Sequence, residues 1–388
     1  MKVDFYNCPE PASFEAKSLP PDPQFVSYKP DFDLIKKYAK EYEHYKNVLI
    51  LAHGGSLTTF YGYYHALKYQ AAKKVYFLNT VDPDYIYELK NELKPEETLV
   101  LSISKSGENT TQLEMTMQFI NFPLVVVTEK GSPLYHVAEK LKFPIIIHAP
   151  IGGRYTGLTE VALLPAGIAG LDAEGIYAGA QKFFSQYREN NLAWRAASVF
   201  WQLEQKGFVD VFMPFYTHNL FPMSSLIIQL CHESFGKAGK GQTYFAHEAP
   251  ESQHHTNQRF FGGQKNIAGF FVSSESVLHP ITNSYPTAIH SVAIKDHAMF
   301  DINNIPLEKS LEYELHGTME DARINGIPVA HLSIAAFSSS ELGQFVAFWQ
   351  LFAVYSSVLR GVNPFDQPQV ENSKKLSFTK RLAFKRVG

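Results

Sequence analysis

Cysteine is nearly absent. Only Cys8 and Cys231 occur in 388 residues, so no disulfide framework can form and a reducing compartment is expected. An excess charge of one sign is missing too: 35 Lys and Arg stand against 38 Asp and Glu, a net of −3. That leaves no basic surplus for a nucleic-acid partner. The opening "MKVDFYNCPEPASFEAK" has no apolar stretch of the kind a secretory signal carries. No uninterrupted run of about 18 apolar residues marks a membrane span. These absences predict a cytoplasmic protein with neither membrane nor nucleic acid as partner. The tail "KKLSFTKRLAFKRVG" is locally basic, which reads as the solvated face of a terminal helix.

What is present has the balance of a globular chain, with 45% apolar and 19% charged residues. The length exceeds one compact core and predicts two domains with additions. Residues 1–30 are rich in proline and read as an arm. From residue 47 apolar runs alternate with amphipathic segments: "NVLILAH", "KVYFLN", "ETLVLSIS", "PLVVVT" and "FPIIIHA" are the runs. Continuous hydrophobicity means strands buried on both faces, and the alternation predicts a parallel sheet covered by helices. After the glycines and prolines of "APIGGRYTGLTEVALLPAGIAGL", residues 173–206 read as two helices. "VDVFMPF", "NIAGFFVS", "HSVAIKD" and "IPVAHLSI" then read as strands, and "LFPMSSLIIQLCHESFG" and "GQFVAFWQLFAVYSSVLRG" as helices. The expected fold class is α/β, two doubly wound parallel-sheet domains over 31–172 and 173–360, with a helical tail over 361–388. A cleft between strand ends is where such sheets hold ligands.

Several segments carry potential chemistry. "HGGS" (His53–Ser56) and "SKSGENTT" (Ser104–Thr111) each follow a strand and open a helix. Glycine lets backbone N–H groups approach an anion, and Ser104, Ser106 and Thr110 add hydroxyls, so the two loops can share one phosphate. An ordinary tight turn is the plain reading of either alone. No "GKS" or "GKT" follows a glycine-rich loop, which disfavours a nucleotide. Arg154 in "GGRYT" suits an oxyanion, or equally an interdomain ion pair. Glu233 in "HESFGKAGKG" ends an apolar helix, against the helix dipole, which invites a functional account. "AHEAPESQHHTNQ" crowds His247, Glu248, Glu251, His254 and His255. The spacing matches no standard zinc pattern, so an acid–base histidine is the more economical reading and no metal is expected. Lys374, in "DQPQVENSKK", reads by itself as a surface residue.

Taken in order, "GGS", "SKSG", "GGRYT", "HESFGKAGKG", "SQHHTNQRFFGG" and "DQPQVENSKK" resemble the glucose-6-phosphate isomerase family, built from two sugar-isomerase domains. They span residues 54–375. His254 follows Glu233 by 21 positions and begins a pattern that Gln258 and Gly263 complete, while Asp366, Gln367, Glu371 and Lys374 match a further motif. The resemblance implies interconversion of glucose 6-phosphate and fructose 6-phosphate through a cis-enediol, with no cofactor. It implies ring opening by His254 and Lys374, proton transfer between C2 and C1 by Glu233, and an enediolate stabilised by Arg154. Gly55, Ser56, Ser104, Ser106 and Thr110 would hold the phosphate, with Lys105 at its rim, and Gln367 would touch the substrate. The family's dimers imply a homodimer in which His254 acts in the neighbouring site. Two departures stand out: the phosphate loop is one residue longer, with Asn109 where Thr is expected, and Thr156 stands where Ser is common.

Three alternatives carry different expectations. A bifunctional phosphoglucose/phosphomannose isomerase is usually shorter and carries Thr where this chain has Gln367. A non-catalytic sugar-phosphate sensor would keep the phosphate loops without needing Glu233, His254 and Lys374. A metal-dependent lyase or hydrolase using the histidine cluster would lose activity to a chelator. Sequence alone leaves His254 against His255, and Glu233 against Glu251, to geometry.

Overall fold

Apolar runs without polar alternation give strands covered on both faces, and the first half of the chain is built on five of them. The computed structural model describes residues 1–16 and 19–387; Lys17 and Ser18 of the expected arm and Gly388 of the tail lie outside the described residues. In chain order the strands are β1 (Lys2–Tyr6), β2 (Asn47–Ala52), β3 (Lys74–Leu78), β4 (Thr98–Ile103), β5 (Leu124–Thr128) and β6 (Ile145–Ile147). They continue with β7 (Asp210–Tyr216), β8 (Thr243–Glu248), β9 (Ile267–Ser274), β10 (Ala293–Ile294), β11 (His297–Ala298) and β12 (Val329–Ile334).

The first sheet is wholly parallel, in the order β3-β2-β4-β5-β6. The helices Gly55–Leu67, Pro83–Glu92, Thr110–Gln118 and Pro133–Leu141 are its crossovers. The chain adds β3 on one side of β2 and β4 on the other, so the sheet has its switch point between β2 and β4. Loops leaving the carboxyl ends of those two strands border the crevice where open α/β sheets take ligands. Both loops singled out in the sequence, 53–56 and 104–111, are these loops.

The second sheet repeats the plan, in the order β1-β12-β9-β7-β8. Strands β7, β8, β9 and β12 are parallel, and β1 pairs antiparallel with β12 at the edge. The supposed arm therefore begins as a strand of the far sheet, with Val3 buried. "HSVAIKD" does not become a sheet strand; only Ala293–Ile294 pair, in a two-stranded hairpin with His297–Ala298. "TYFAHE", whose last three residues open the histidine-rich segment, is strand β8, and Leu307–Ile324 is a helix that the sequence reading left out.

Between the sheets lies one long helix, Ser339–Arg360. Its mean hydropathy reaches 1.4 over an 18-residue window, so by length and composition it could cross a membrane. The expected absence of an uninterrupted apolar run holds here, because interleaved Ser, Gly and Gln break the run without making the helix polar. In the fold 83% of that window is buried, the behaviour of a core helix. It packs on the helices Ala173–Phe184 and Leu192–Gln205. A Cβ on Gly343 would stand 1.9 Å from the carbonyl oxygen of Ile176, so only glycine permits this crossing. Its side chains merge into one core with those under both sheets.

Candidate active site

The glycines after β2 bring two loops together. Gly55 sits against the turn that carries Arg154: a Cβ on Gly55 would be 2.0 Å from the carbonyl carbon of Gly153 and 2.4 Å from the amide nitrogen of Arg154. Close backbone contact, rather than an open cradle, is what this position requires. Ser56 is buried beside it.

Arg154 is 2% exposed and uses all five of its donors. Nε donates to Ser234 Oγ at 2.8 Å, and Nη1 donates to Glu233 Oε2 at 3.1 Å and Gln367 Oε1 at 2.8 Å. Nη2 donates to the carbonyl oxygens of Pro364 and Asp366. The guanidinium therefore ties three distant pieces of chain at one point: the turn at 153–158, the end of the helix Ser224–Phe235, and the turn at 363–367. The plainer expectation for Arg154, an ion pair between the halves, is realised, and it is realised on Glu233.

Glu233 lies in the last turn of its helix, where the backbone dipole disfavours a carboxylate. Arg154 opposes that cost on one oxygen. On the other, Oε1 accepts from Gln229 Nε2 at 3.0 Å, and Gln229 Oε1 in turn accepts from Thr58 Oγ1 at 3.0 Å. The carboxylate is thus fixed from both halves, yet its side chain keeps 25% of its exposure. Each oxygen accepts one of these bonds and so keeps acceptor capacity, which a group taking a proton from a bound molecule requires.

The loop after β4 is pre-shaped. Gly107 at φ +59 turns the chain, and its amide donates to Ser104 Oγ at 3.3 Å. Ser106 Oγ accepts from the amide of Glu108, and Lys105 Nζ lies 3.5 Å from Glu129 Oε1. Asn109 caps the next helix, accepting from the amide of Thr111 at 3.1 Å and its hydroxyl at 2.7 Å. Thr110 is the first helical residue. Thr111 turns its hydroxyl to His53 Nε2 at 3.0 Å. Burial, followed by the charge of Lys374, lowers the His53 pKa below its ordinary value. The loops after β2 and β4 thus meet through His53 and Thr111, a link the sequence reading did not anticipate.

Lys374 rides on the tail helix Glu371–Val387 and pairs with Glu371 at 2.9 Å, both exposed. Its positive charge is felt at His53, at the head of the loop after β2. Arg381 anchors the same helix to Glu114 at 2.7 and 2.8 Å. Lys237, from the glycine-rich run after Glu233, donates to the carbonyl oxygens of Asn363 and Asp366 and to Asp366 Oδ1, at 2.6–2.7 Å. Its ammonium keeps the Asp366 carboxyl below the usual range.

Arg154, Glu233, Gln367 and Gly55 therefore converge, with Ser56, Ser104, Lys105, Ser106 and Thr110 on the adjoining loops. His254 does not join them. It ends a short 3-10 helix, is exposed, and has no hydrogen bond, ion pair or ring contact among the described residues. His255 is occupied differently, by Thr256 Oγ1 at 2.6 Å and by the ring of His247 at 4.9 Å. Glu251 opens the same 3-10 helix and has no part in the Arg154 cluster. Among the described residues no three His, Cys, Asp or Glu side chains group as metal ligands. Gln229, Ser234, Thr58, His53 and Lys237 were not named as site residues; His53, Ser234 and Lys237 lie inside the quoted motifs "HGGS" and "HESFGKAGKG", and Gln229 stands one helical turn before Glu233.

No protein-family model matches the chain. It is 26% identical over 366 residues to a "Probable glucose-6-phosphate isomerase" of Methanococcus maripaludis, covering 88% of this chain and 80% of that protein. It is 26% identical over 341 residues to a glucose-6-phosphate isomerase of Rubrobacter xylanophilus, covering 82% and 76%. The chain's curated relatives are glucose-6-phosphate isomerases. Among solved structures, a hypothetical protein of Thermus thermophilus superposes with a TM-score of 0.84 at 26% identity, covering 93% of this chain and 89% of that one. A glucose-6-phosphate isomerase of Chlamydia trachomatis matches with a TM-score of 0.75 at 18% identity, covering 98% and 82%. That second likeness shows the fold alone.

Proposed function

We propose that the protein is a glucose-6-phosphate isomerase, interconverting glucose 6-phosphate and fructose 6-phosphate. The observation that carries this reading is the Glu233 carboxylate, steadied by Arg154 and Gln229 yet still open to solvent, in a chain whose relatives carry that name. The phosphate binds in the crevice between the loops after β2 and β4, through Ser56, Ser104, Ser106 and Thr110, with Lys105 at the rim. Binding energy from this non-reacting group positions the sugar. Lys374 and His254 move the protons that open the ring. Glu233 then removes the C2 proton and returns it at C1 through a cis-enediol. Arg154 exchanges its Nη1 contact with Gln367 for the developing oxyanion. His254, exposed and with no side-chain partner among the described residues, completes the site of a second copy in a homodimer.

The test is a coupled assay of the purified protein in EDTA, offering fructose 6-phosphate and then mannose 6-phosphate. Formation of glucose 6-phosphate from the first alone is the expected result; turnover of both would indicate the bifunctional enzyme. Glu233→Gln should lose at least about a thousandfold in kcat while still binding sugar phosphate by calorimetry. Unchanged turnover in that variant would sink the mechanism.

A further inference from the structure

The second sheet has a switch point of its own, between β7 and β9, and nothing in the proposed reaction uses it. A cavity of about 840 Å³ opens there, at the carboxyl ends of β7, β9 and β12 and beside the edge strand β1. That volume is in the range of small-molecule sites, and the position is where the fold places ligands. The two halves are therefore comparable loop by loop.

The comparison excludes a second phosphate cradle. In the first half the strand before the switch point is followed by two glycines, Gly54 and Gly55; in the second it is followed by Thr217, His218 and Asn219. The serine loop is kept but its charge is reversed. Ser104-Lys105-Ser106 follows β4, and Ser274-Glu275-Ser276 follows β9 and lines the cavity. A carboxylate at that place repels phosphate.

The rest of the lining is acidic once its ion pairs are removed. Lys2 pairs with Glu275 at 2.9 Å and Lys309 with Glu312 at 2.6 Å. Asp4 and Glu308 are left over, both on the lining and neither in an ion pair among the described residues. Glu308 Oε2 is buried with no hydrogen-bond partner. That oxygen is closed to solvent and ligand alike, so Glu308 meets a ligand only through the half-buried remainder of its carboxylate on the cavity lining. Burial holds the His331 ring, which also lines the cavity, at a pKa of about 4, so it adds no positive charge at neutral pH. The rings of Tyr6 and Tyr69 supply flat apolar faces among the polar groups, the mixture that suits a carbohydrate ring.

We propose that this cavity is a second ligand site, for an unphosphorylated sugar bearing a protonated amine, with Glu308 and Asp4 receiving the ammonium and hydroxyl donors. The site is independent of the isomerase reading, because it shares no residue with the Glu233 cluster.

Titration calorimetry with D-glucosamine, D-glucose and glucose 6-phosphate tests it on the full chain. Glucosamine should bind once per chain, and glucose roughly tenfold more weakly, the worth of one charge-assisted hydrogen bond. Binding should persist when fructose 6-phosphate saturates the first site. Glu308→Gln should weaken glucosamine by roughly tenfold or more and leave isomerase turnover unchanged. Asp4→Asn, at an exposed position, serves as the second variant if Glu308→Gln does not fold. No glucosamine binding at about 10 mM, a range where even weak complexes form, would overturn the proposal. So would binding that both variants leave intact, or binding displaced by sugar phosphate.

Discussion

Replacing Arg154 with lysine keeps the charge and removes the fork. Lysine brings three donors on one atom where arginine brings five in a plane, so at least two of the five acceptors around residue 154 lose their bond. The structure says which losses count. The Pro364 carbonyl keeps the Tyr155 hydroxyl as a donor at 3.3 Å, and Ser234 stays bonded by donating its own hydroxyl to the Tyr155 oxygen at 2.9 Å. The Asp366 carbonyl keeps Lys237 at 2.6 Å. Gln367 Oε1 and Glu233 Oε2 have no such substitute among the described residues. Both bonds come from the ionised guanidinium and are charge-assisted, together worth about 3–6 kcal/mol. Urea unfolding of Arg154→Lys should show a loss of that size with an unchanged slope. Because the lost partners are the proposed base and its neighbour, kcat should fall by about a hundredfold or more. KM should move far less, since the loops after β2 and β4 are untouched. A variant within about 0.5 kcal/mol of the parent, the scatter of ordinary surface changes, and within threefold in kcat, would refute the claim that the planar fork organises the site.

Three other outcomes follow from the same structure. Lys237→Met frees the turn at 363–367 from its three lysine contacts, so kcat should drop by about tenfold or more; unaltered turnover would mean Arg154 alone holds that turn. Gly55→Ala should be severely destabilising, by about 3 kcal/mol or more, because the new Cβ meets backbone at 2.0 Å. Gly317→Ala, mid-helix with nothing within 4 Å, should instead raise the midpoint slightly, and equal effects in a thermal melt would discredit the contact argument. The His331 pKa is lowered from 6.5 to about 4 by burial, with Asp4, His316 and Glu275 as the charged groups acting on it. The unfolded chain takes up that proton first, so the contribution is fully present above pH 6.5 and is lost as pH falls through about 4. The full difference is about 3 kcal/mol. His331→Gln should flatten the acid limb of stability measured between pH 7 and pH 4, and an identical limb in parent and variant would remove His331 as its source.

The parts of the fold legible in the sequence are those where one physical cause acts alone. Strands β2, β4 and β5 are buried on both faces, so their apolar runs are unbroken and unmistakable. Strand β1 alternates weakly because it is an edge strand, paired on one side and partly exposed. Strand β8 is the opposite edge, and its His and Glu are half in solvent; the same letters that suggested chemistry were the mark of an uncovered face. The helix Leu307–Ile324 buries only Leu315, Thr318, Met319 and Ala322, too narrow a stripe to stand out against its charges. The long helix Ser339–Arg360 was legible as a helix, though its membrane-like composition is explained only by the neighbours that cover it.

The site was legible in a different way, as a breach of local rules. A carboxylate at a helix C-terminus and an arginine in a glycine-flanked turn each cost something alone, and their pairing at 3.1 Å accounts for both. What sequence could not supply was distance. Gln229 was within reach of a helical-spacing argument, but Ser234, Lys237 and Thr58 gain meaning only once three separated segments meet at Arg154. Lys374 makes the point most sharply. Its helix is pinned at one end by the turn that Arg154 and Lys237 hold, and farther along by Arg381 on Glu114. A lysine that reads as surface in one dimension thereby acts on His53, at the head of the loop after β2. Cutting the far anchor with Glu114→Gln should therefore weaken the sugar-phosphate response to Lys374 while leaving Glu233 in place. The His53 titration, followed by NMR, should then shift back toward 6.5, its ordinary value. A His53 titration that stays where it was would show that the tail helix holds its position without Arg381.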